Sequence, residues 1–353
     1  MKKFLRQWRM VVVGILLLMA LSFAACGSLL HRNSSSGKPG TSNHSTAMTP
    51  RGAASGQIAP ARIGSSIAYD GKDKRVVVFG GDNAHDTWTW DGRTWTQAHP
   101  AASPADRSDA STAYDAATQQ LVLFGGVSPT GTALGDTWVW DGNNWQQQHP
   151  QVSPPARAQA SLVYDAATRQ LVLFGGETMG DHKTSPAMND TWVWDGNNWQ
   201  QQHPQVSPPA RAQANMTYDA VKQQVLLFGG TNGYHTLNDT WAWNGTNWTQ
   251  LNPATKPTAR SGASMVYDAA KQQIVLFAGS DNGSNDLSDT WIWNGQNWQQ
   301  ANASQAPKGS YTVAAYDEAQ QNVVVYALQT ESNKTLSASQ TWLWNGSNWT
   351  MVK

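Results

Sequence analysis

From residue 59 to the C-terminus, short apolar runs alternate with polar turns in a fixed order. The runs read VVVFGG (76–81), LVLFGG (121–126), LVLFGG (171–176), VLLFGG (225–230), IVLFAG (274–279) and VVVYAL (323–328). A Tyr-Asp pair precedes each, at Tyr69, Tyr114, Tyr164, Tyr218, Tyr267 and Tyr316, at spacings of 45, 50, 54, 49 and 49 residues. A Trp-x-Trp follows each: Trp88/Trp90, Trp138/Trp140, Trp192/Trp194, Trp241/Trp243, Trp291/Trp293 and Trp342/Trp344. A third Trp stands five residues later, at Trp95, Trp145, Trp199, Trp248, Trp298 and Trp349.

Each unit therefore predicts four strands. Strand A ends at the Tyr-Asp pair. Strand B is the apolar run, and its lack of alternation marks a strand covered on both faces. Strand C carries the Trp-x-Trp, whose indoles share one face because residues two apart do. Asp-Gly or Asn-Gly follows (Asp91-Gly92, Asp141-Gly142, Asn244-Gly245), the signal of a tight hairpin. Strand D holds the third Trp. A lone four-stranded sheet cannot bury three such side chains, each worth roughly 150–250 Å². Six sheets packed face to face around an axis can, so the chain reads as an all-β, six-bladed β-propeller of four-stranded blades. Strand A falls nearest the axis, where space is short, and it opens with small residues such as Ser65-Ser66, Ala110-Ser111, Ala160-Ser161 and Ala263-Ser264.

Each blade is complete from A to D, leaving no spare strand to join first and last. Either packing alone closes the ring, or residues near Gln57–Ala59 help. Antiparallel order puts the B–C loops and D–A connections on one face and the A–B and C–D turns on the other. Residues 136–160 are identical to 190–214, so two blades share a scaffold and differ mainly in one loop. The variable B–C loops mark their face as the place for binding.

The double Gly closing an apolar strand, the Trp-bearing strand, the further Trp and the Pro-x-x-Arg leading into the next unit together resemble the kelch repeat. The resemblance covers about 59–353 and implies a kelch propeller. The last unit departs from it, with Ala327-Leu328 for Gly-Gly, Gln340 for Asp and Gly309 at the Arg position. Kelch propellers include copper-radical oxidases of the galactose-oxidase type, which need a Cys crosslinked to a Tyr. Cys26 is the only cysteine and precedes the repeats, so that chemistry is excluded. They also include bacterial sialic-acid mutarotases, which implies an alternative reading as a sugar-active enzyme. Glu177 and Glu331, both in B–C loops, are the weak acid/base candidates for it.

The N-terminus changes the picture. Lys2, Lys3, Arg6 and Arg9 precede an apolar stretch from Met10 to Ala25, then Cys26. This is similar to a bacterial lipoprotein signal in which Cys26 is lipidated. An uncleaved anchor and full secretion are the alternatives, and all three place the repeats outside the cytoplasm, on the membrane where a lipid or anchor holds them. Residues 1–25 form the signal, 26–58 a Ser/Gly/Pro-rich tether, and 59–353 the propeller. From Ala59 on, 17 Lys/Arg oppose 24 Asp/Glu, a net of −7 (17 − 24). A net-acidic domain does not replace the counterions of a phosphate backbone, which argues against nucleic acid.

Arg62, Arg107, Arg157, Arg211 and Arg260 each lie seven residues before the Tyr of a repeat. They either offer a ring of guanidinium groups to carboxylate or sulfate ligands or tie loops to neighbouring carbonyls. His85, His182 and His235 lie in B–C loops, as does Tyr234, a candidate stacking surface. No His pair has a short metal-ligand spacing. Asp281 and Asp286 bound an oxygen-rich loop that is a weak Ca²⁺ candidate and does not match an EF-hand. No cofactor is expected. The favoured reading is a monomeric, non-catalytic module that binds a glycan or a protein partner through its loop face.

Overall fold

The computed structural model describes residues 59–352 apart from 61, 179–186, 283–284, 304, 310–311 and 331–335. Cys26, His182 and Glu331 lie outside the described residues. Six four-stranded antiparallel sheets, each in simple A-B-C-D order, surround an axis. Blade 1 comprises Ser66–Asp70, Arg75–Phe79, Thr87–Trp90 and Trp95–Ala98, and blade 6 ends the chain with Val313–Asp317, Asn322–Thr330, Leu336–Trp344 and Trp349–Met351. The inner strands lie side by side around the ring, Ser66–Asp70 against Val313–Asp317 included. Among the described residues no helix is long and apolar enough to cross a membrane.

Strand B is buried as its composition requires: Leu121, Val122 and Leu123 are fully covered, and so are their counterparts in the other blades. Its Gly-Gly end takes left-handed backbone, φ 68° at Gly125 and 102° at Gly126, where a side chain would strike the carbonyls of Arg157 and Ser108. The Tyr-Asp pair has two separate duties. The Asp folds its own A–B turn: Asp115 Oδ1 accepts from Ala117 N (2.9 Å) and Thr118 N (3.3 Å). The Tyr hydroxyl reaches the preceding blade's turn, with Ala319 N donating to Tyr69 Oη (3.1 Å) and Ala270 N to Tyr316 Oη (3.0 Å).

The blades are joined by the third tryptophan. Its indole Nε1 donates to the threonine that opens strand C of the preceding blade: Trp145 to Thr87 (2.9 Å), Trp199 to Thr137 (2.9 Å), Trp248 to Thr191 (2.9 Å), Trp298 to Thr240 (3.1 Å) and Trp349 to Thr290 (2.9 Å). The same ring packs edge-on to an aromatic of that blade, as Trp199 does to Phe124 with centroids 5.2 Å apart.

The ring closes by this same bond. Trp95 Nε1 donates to Thr341 Oγ1 (2.9 Å), and Trp95 meets Tyr326 edge-on. The residues before the first strand add to it. Ala59 is buried in the seam, where Ser339 Oγ donates to its carbonyl and Tyr326 Oη donates to that of Pro60. Of the two modes of closure left open by the sequence, the second is in use: Ala59 and Pro60 help, while Gln57 lies outside the described residues.

One expectation is corrected. C–D turns and D–A connections do not stay on opposite faces: Ala101 N donates to Asn144 Oδ1 of the next blade (2.7 Å), as Gln151 N does to Asn198 (2.9 Å) and Gln205 N to Asn247 (2.8 Å). Strand twist accumulates across a sheet, so the outermost hairpin leans onto the neighbouring blade.

Thr137→Val leaves a buried indole N–H unpaired and is expected to cost about 1–3 kcal/mol. Thr341→Val, at the closure, is expected to cost as much. Urea unfolding checks this; a negligible cost at Thr341 alone would show that the seam is held by the Ala59–Pro60 segment instead.

Candidate functional site

The D–A connection delivers each arginine to the root of a B–C loop. Arg107 Nη1 and Nη2 donate to the two carboxylate oxygens of Asp136 (2.6 and 2.8 Å), Nη1 also to Gly125 O (3.0 Å), and Nε to Ala105 O (3.0 Å). Asp136 accepts in addition from Trp138 Nε1 (2.6 Å). The pattern recurs as Arg157–Asp190–Trp192, Arg211–Asp239–Trp241 and Arg260–Asp289–Trp291. Arg62 bonds Asp86, which holds Trp88 (2.8 Å). The guanidinium groups of Arg107, Arg157, Arg211 and Arg260 are closed off from solvent, at most 1% exposed. They do not form an open anion-binding ring; they clamp loop roots. Burial alone raises the Asp136, Asp190, Asp239 and Asp289 carboxyls. The arginine bonds and charge outweigh it and hold them below the usual range.

Two residues past each arginine, the backbone turns left-handed at Gly64 (φ 71°), Asp109 (57°), Gln159 (58°), Gln213 (54°) and Gly262 (60°). These residues are bonded head to tail from blade to blade. Asp109 N donates to Gly64 O (2.7 Å), Gln159 N to Asp109 O (3.0 Å), Gln213 N to Gln159 O (3.0 Å) and Gly262 N to Gln213 O (3.3 Å). The same backbone recurs at Lys74, Gln119, Arg169, Gln223, Gln272 and Gln321 in the A–B turns, so it belongs to the repeat's turn geometry. Burial raises the Asp109 carboxyl; a hydrogen bond with Gln159 opposes this and the nearby Asp82 charge adds to it.

Next to this arc, the first residues of the inner strands line an axial mouth of about 200 Å³ on the loop face. Its wall is hydroxyl-rich and braced between blades: Ser111 Oγ donates to Ala160 O (2.7 Å), Ser161 Oγ to Ala214 O (2.5 Å) and Ser264 Oγ to Thr312 O (2.8 Å). Blade 4 has Asn215 in the serine position. Its Nδ2 is buried and has no hydrogen-bond partner.

The sequence candidates are scattered around this mouth and not gathered in it. Glu177 sits at a loop root with its backbone paired to Ala158. His85 Nδ1 lies 2.5 Å from Asp106 Oδ1 on the exposed surface. Tyr234 is 86% exposed and His235 is exposed beside it. The Asp281 carboxylate accepts from Asn285 Nδ2 and N and closes its own turn, while Asp286 is exposed. Among the described residues no three His, Cys, Asp or Glu side chains converge as metal ligands. Asp109, Gln159 and Gln213 are not among the sequence candidates; their signal is a column of unlike residues, Gly64, Asp109, Gln159, Gln213 and Gly262, whereas Asn215 is read from sequence only as part of the Ala214-Asn215 opening of an inner strand.

A model of the KLHDC2/KLHL20/DRC7 Kelch-repeats domain matches residues 142–256. No curated protein matches the chain. The solved structure titled "Structure of YjhT" superposes with a TM-score of 0.63 at 14% identity, over 84% of this chain and 99% of that one. The likeness is one of fold: a kelch-type, six-bladed propeller.

Removing one clamp leaves a half-buried carboxylate without its cation. Arg211→Met is expected to destabilise by about 3 kcal/mol at neutral pH. A carboxyl held below its ordinary value of 3.8 contributes stability above that value and loses it as pH falls through its folded value. The gap between wild type and variant, followed by denaturant unfolding, should therefore narrow in acid. A gap unchanged down to pH about 3 would mean that packing, not charge, holds the loop root.

Proposed function

We propose that the propeller is a binding module displayed outside the cytoplasm by its N-terminal segment, and that its axial mouth receives the end of a glycan. One observation carries this reading: the unpaired Asn215 amide in the mouth wall, where neighbouring blades place a serine that bonds the next blade. A buried donor without an acceptor costs about 1–3 kcal/mol; Asn215 lines the mouth, and a turn of its amide toward a ligand oxygen there would remove that cost. The serine and threonine hydroxyls in the wall suit sugar hydroxyls. Tyr234 offers a stacking face farther out.

Asp109 supports a second reading, in which the site acts on the sugar. Burial raises the Asp109 carboxyl, the direction a general acid needs, and Asp109 adjoins Ala110 of the mouth wall. Catalysed anomer exchange abolished by Asp109→Asn would favour that reading; no catalysed exchange by the wild type would end it.

Asn215→Ser reproduces the arrangement of blades 2, 3 and 5. It is expected to raise stability by about 1 kcal/mol while weakening glycan binding about tenfold. Thermal melting and titration with a panel of neutral and acidic oligosaccharides measure both. A panel with no binder at all would overturn the glycan reading and turn attention to protein partners of the loop face.

A further inference from the structure

Blade 6 lacks the arginine clamp, and among the described residues no side chain takes the place of the guanidinium. Arg107 shows what the slot normally holds: it touches Ala105 O, Gly125 O and the Asp136 carboxylate that grips Trp138. The blade 6 counterparts of those four residues are Pro307, Ala327, Gln340 and Trp342. All four line a cavity of about 560 Å³, within the range of ~300–1,000 Å³ typical of small-molecule sites. Trp342 still donates to Gln340 Oε1 (3.0 Å), so the strand C end of the slot remains ordered. The cavity shares no lining residue with the axial mouth.

Its chemistry differs from that of the other blades. There, a guanidinium and a carboxylate cancel. Here both are gone, and Lys308 stands where blades 2 to 5 have Asp106, Ala156, Ala210 and Ala259. Among the described residues lining the cavity none is acidic, and Lys308 is the one charge. Asp286 approaches Gly309 but is not part of the lining. Leu328, Ala306 and Met351 add apolar wall beside the Trp342 ring.

We propose that this cavity binds a small amphipathic carboxylate, an aryl or medium-chain acyl acid. The apolar body lies against Trp342, Leu328 and Met351, and the carboxylate meets the Lys308 ammonium. Lys308 is exposed at the rim, so the ligand's head stays near water while its body is covered. This avoids the cost of burying an ion. A charge-assisted bond at that rim favours the acid over a neutral amide of the same shape.

The test titrates the full chain with indole-3-acetate and with octanoate, using indole-3-acetamide as the neutral counterpart, by calorimetry and ligand-observed NMR. Saturable one-to-one binding is expected, with the acetamide about tenfold weaker than the acetate. Lys308→Glu should remove the preference for the acid without altering the melting temperature, since the side chain is exposed. Ala306→Trp should fill the cavity and abolish binding of both forms; circular dichroism and melting confirm that this variant is folded. Failure of both acids to bind, equal affinity for acid and amide, or binding that survives folded Ala306→Trp would each overturn the proposal.

Discussion

The indole N–H that each outer-strand tryptophan sends to a threonine of the preceding blade sets the angle at which successive blades meet. The tryptophan is packed twice. Within its blade it rests against the second indole of strand C, as Trp199 does on Trp194 with centroids 5.3 Å apart, and across the interface it meets an aromatic of strand B edge-on. Apolar packing alone tolerates sliding. A single directional bond from a buried donor does not, because a displaced indole loses its only acceptor. The bond recurs at all six interfaces, so the first and last blades meet as any other pair does, and no strand need be shared between them.

With the sheets fixed, the arginine clamps decide where each B–C loop begins, and the end of strand B shows their reach. Ala278 replaces a glycine in blade 5 yet keeps a left-handed backbone (φ 60°), with Arg260 Nη1 donating to its carbonyl (3.0 Å). Ala327, in the same place in blade 6, has no arginine. It stays in the ladder opposite Gln340, and strands B and C run on together to Thr330 and Leu336. Blade 5 keeps both the arginine and a left-handed Gly279 and its strand ends there; blade 6 has neither, with Leu328 in the glycine position, and its strand continues.

Much of this was legible in the sequence, since repetition multiplies weak signals. Eighteen tryptophans in register defined the blades, the double glycines marked the strand ends, and small residues foretold crowded inner strands. The partner of each arginine was not legible, although the aspartate of Asp-Thr-Trp recurs just as regularly. The two lie 24 to 33 residues apart, and only the fold brings them together. The lean of the C–D turns was missed because antiparallel order says nothing about accumulated twist. The axial mouth was hidden for the opposite reason: its distinctive residues are those that break the pattern, and a search for repeats passes over them.

Each blade is built from one unbroken stretch of chain and carries both its donor tryptophan and its acceptor threonine. The duplicated 25-residue segments begin 54 residues apart, at Asp136 and Asp190. A deletion or duplication of 54 residues between them would remove or add one blade's worth of chain in frame. The stretch at 177–190 is the part such an event would carry away or copy, so exchange of intact units would change the loop face without disturbing the joints between blades.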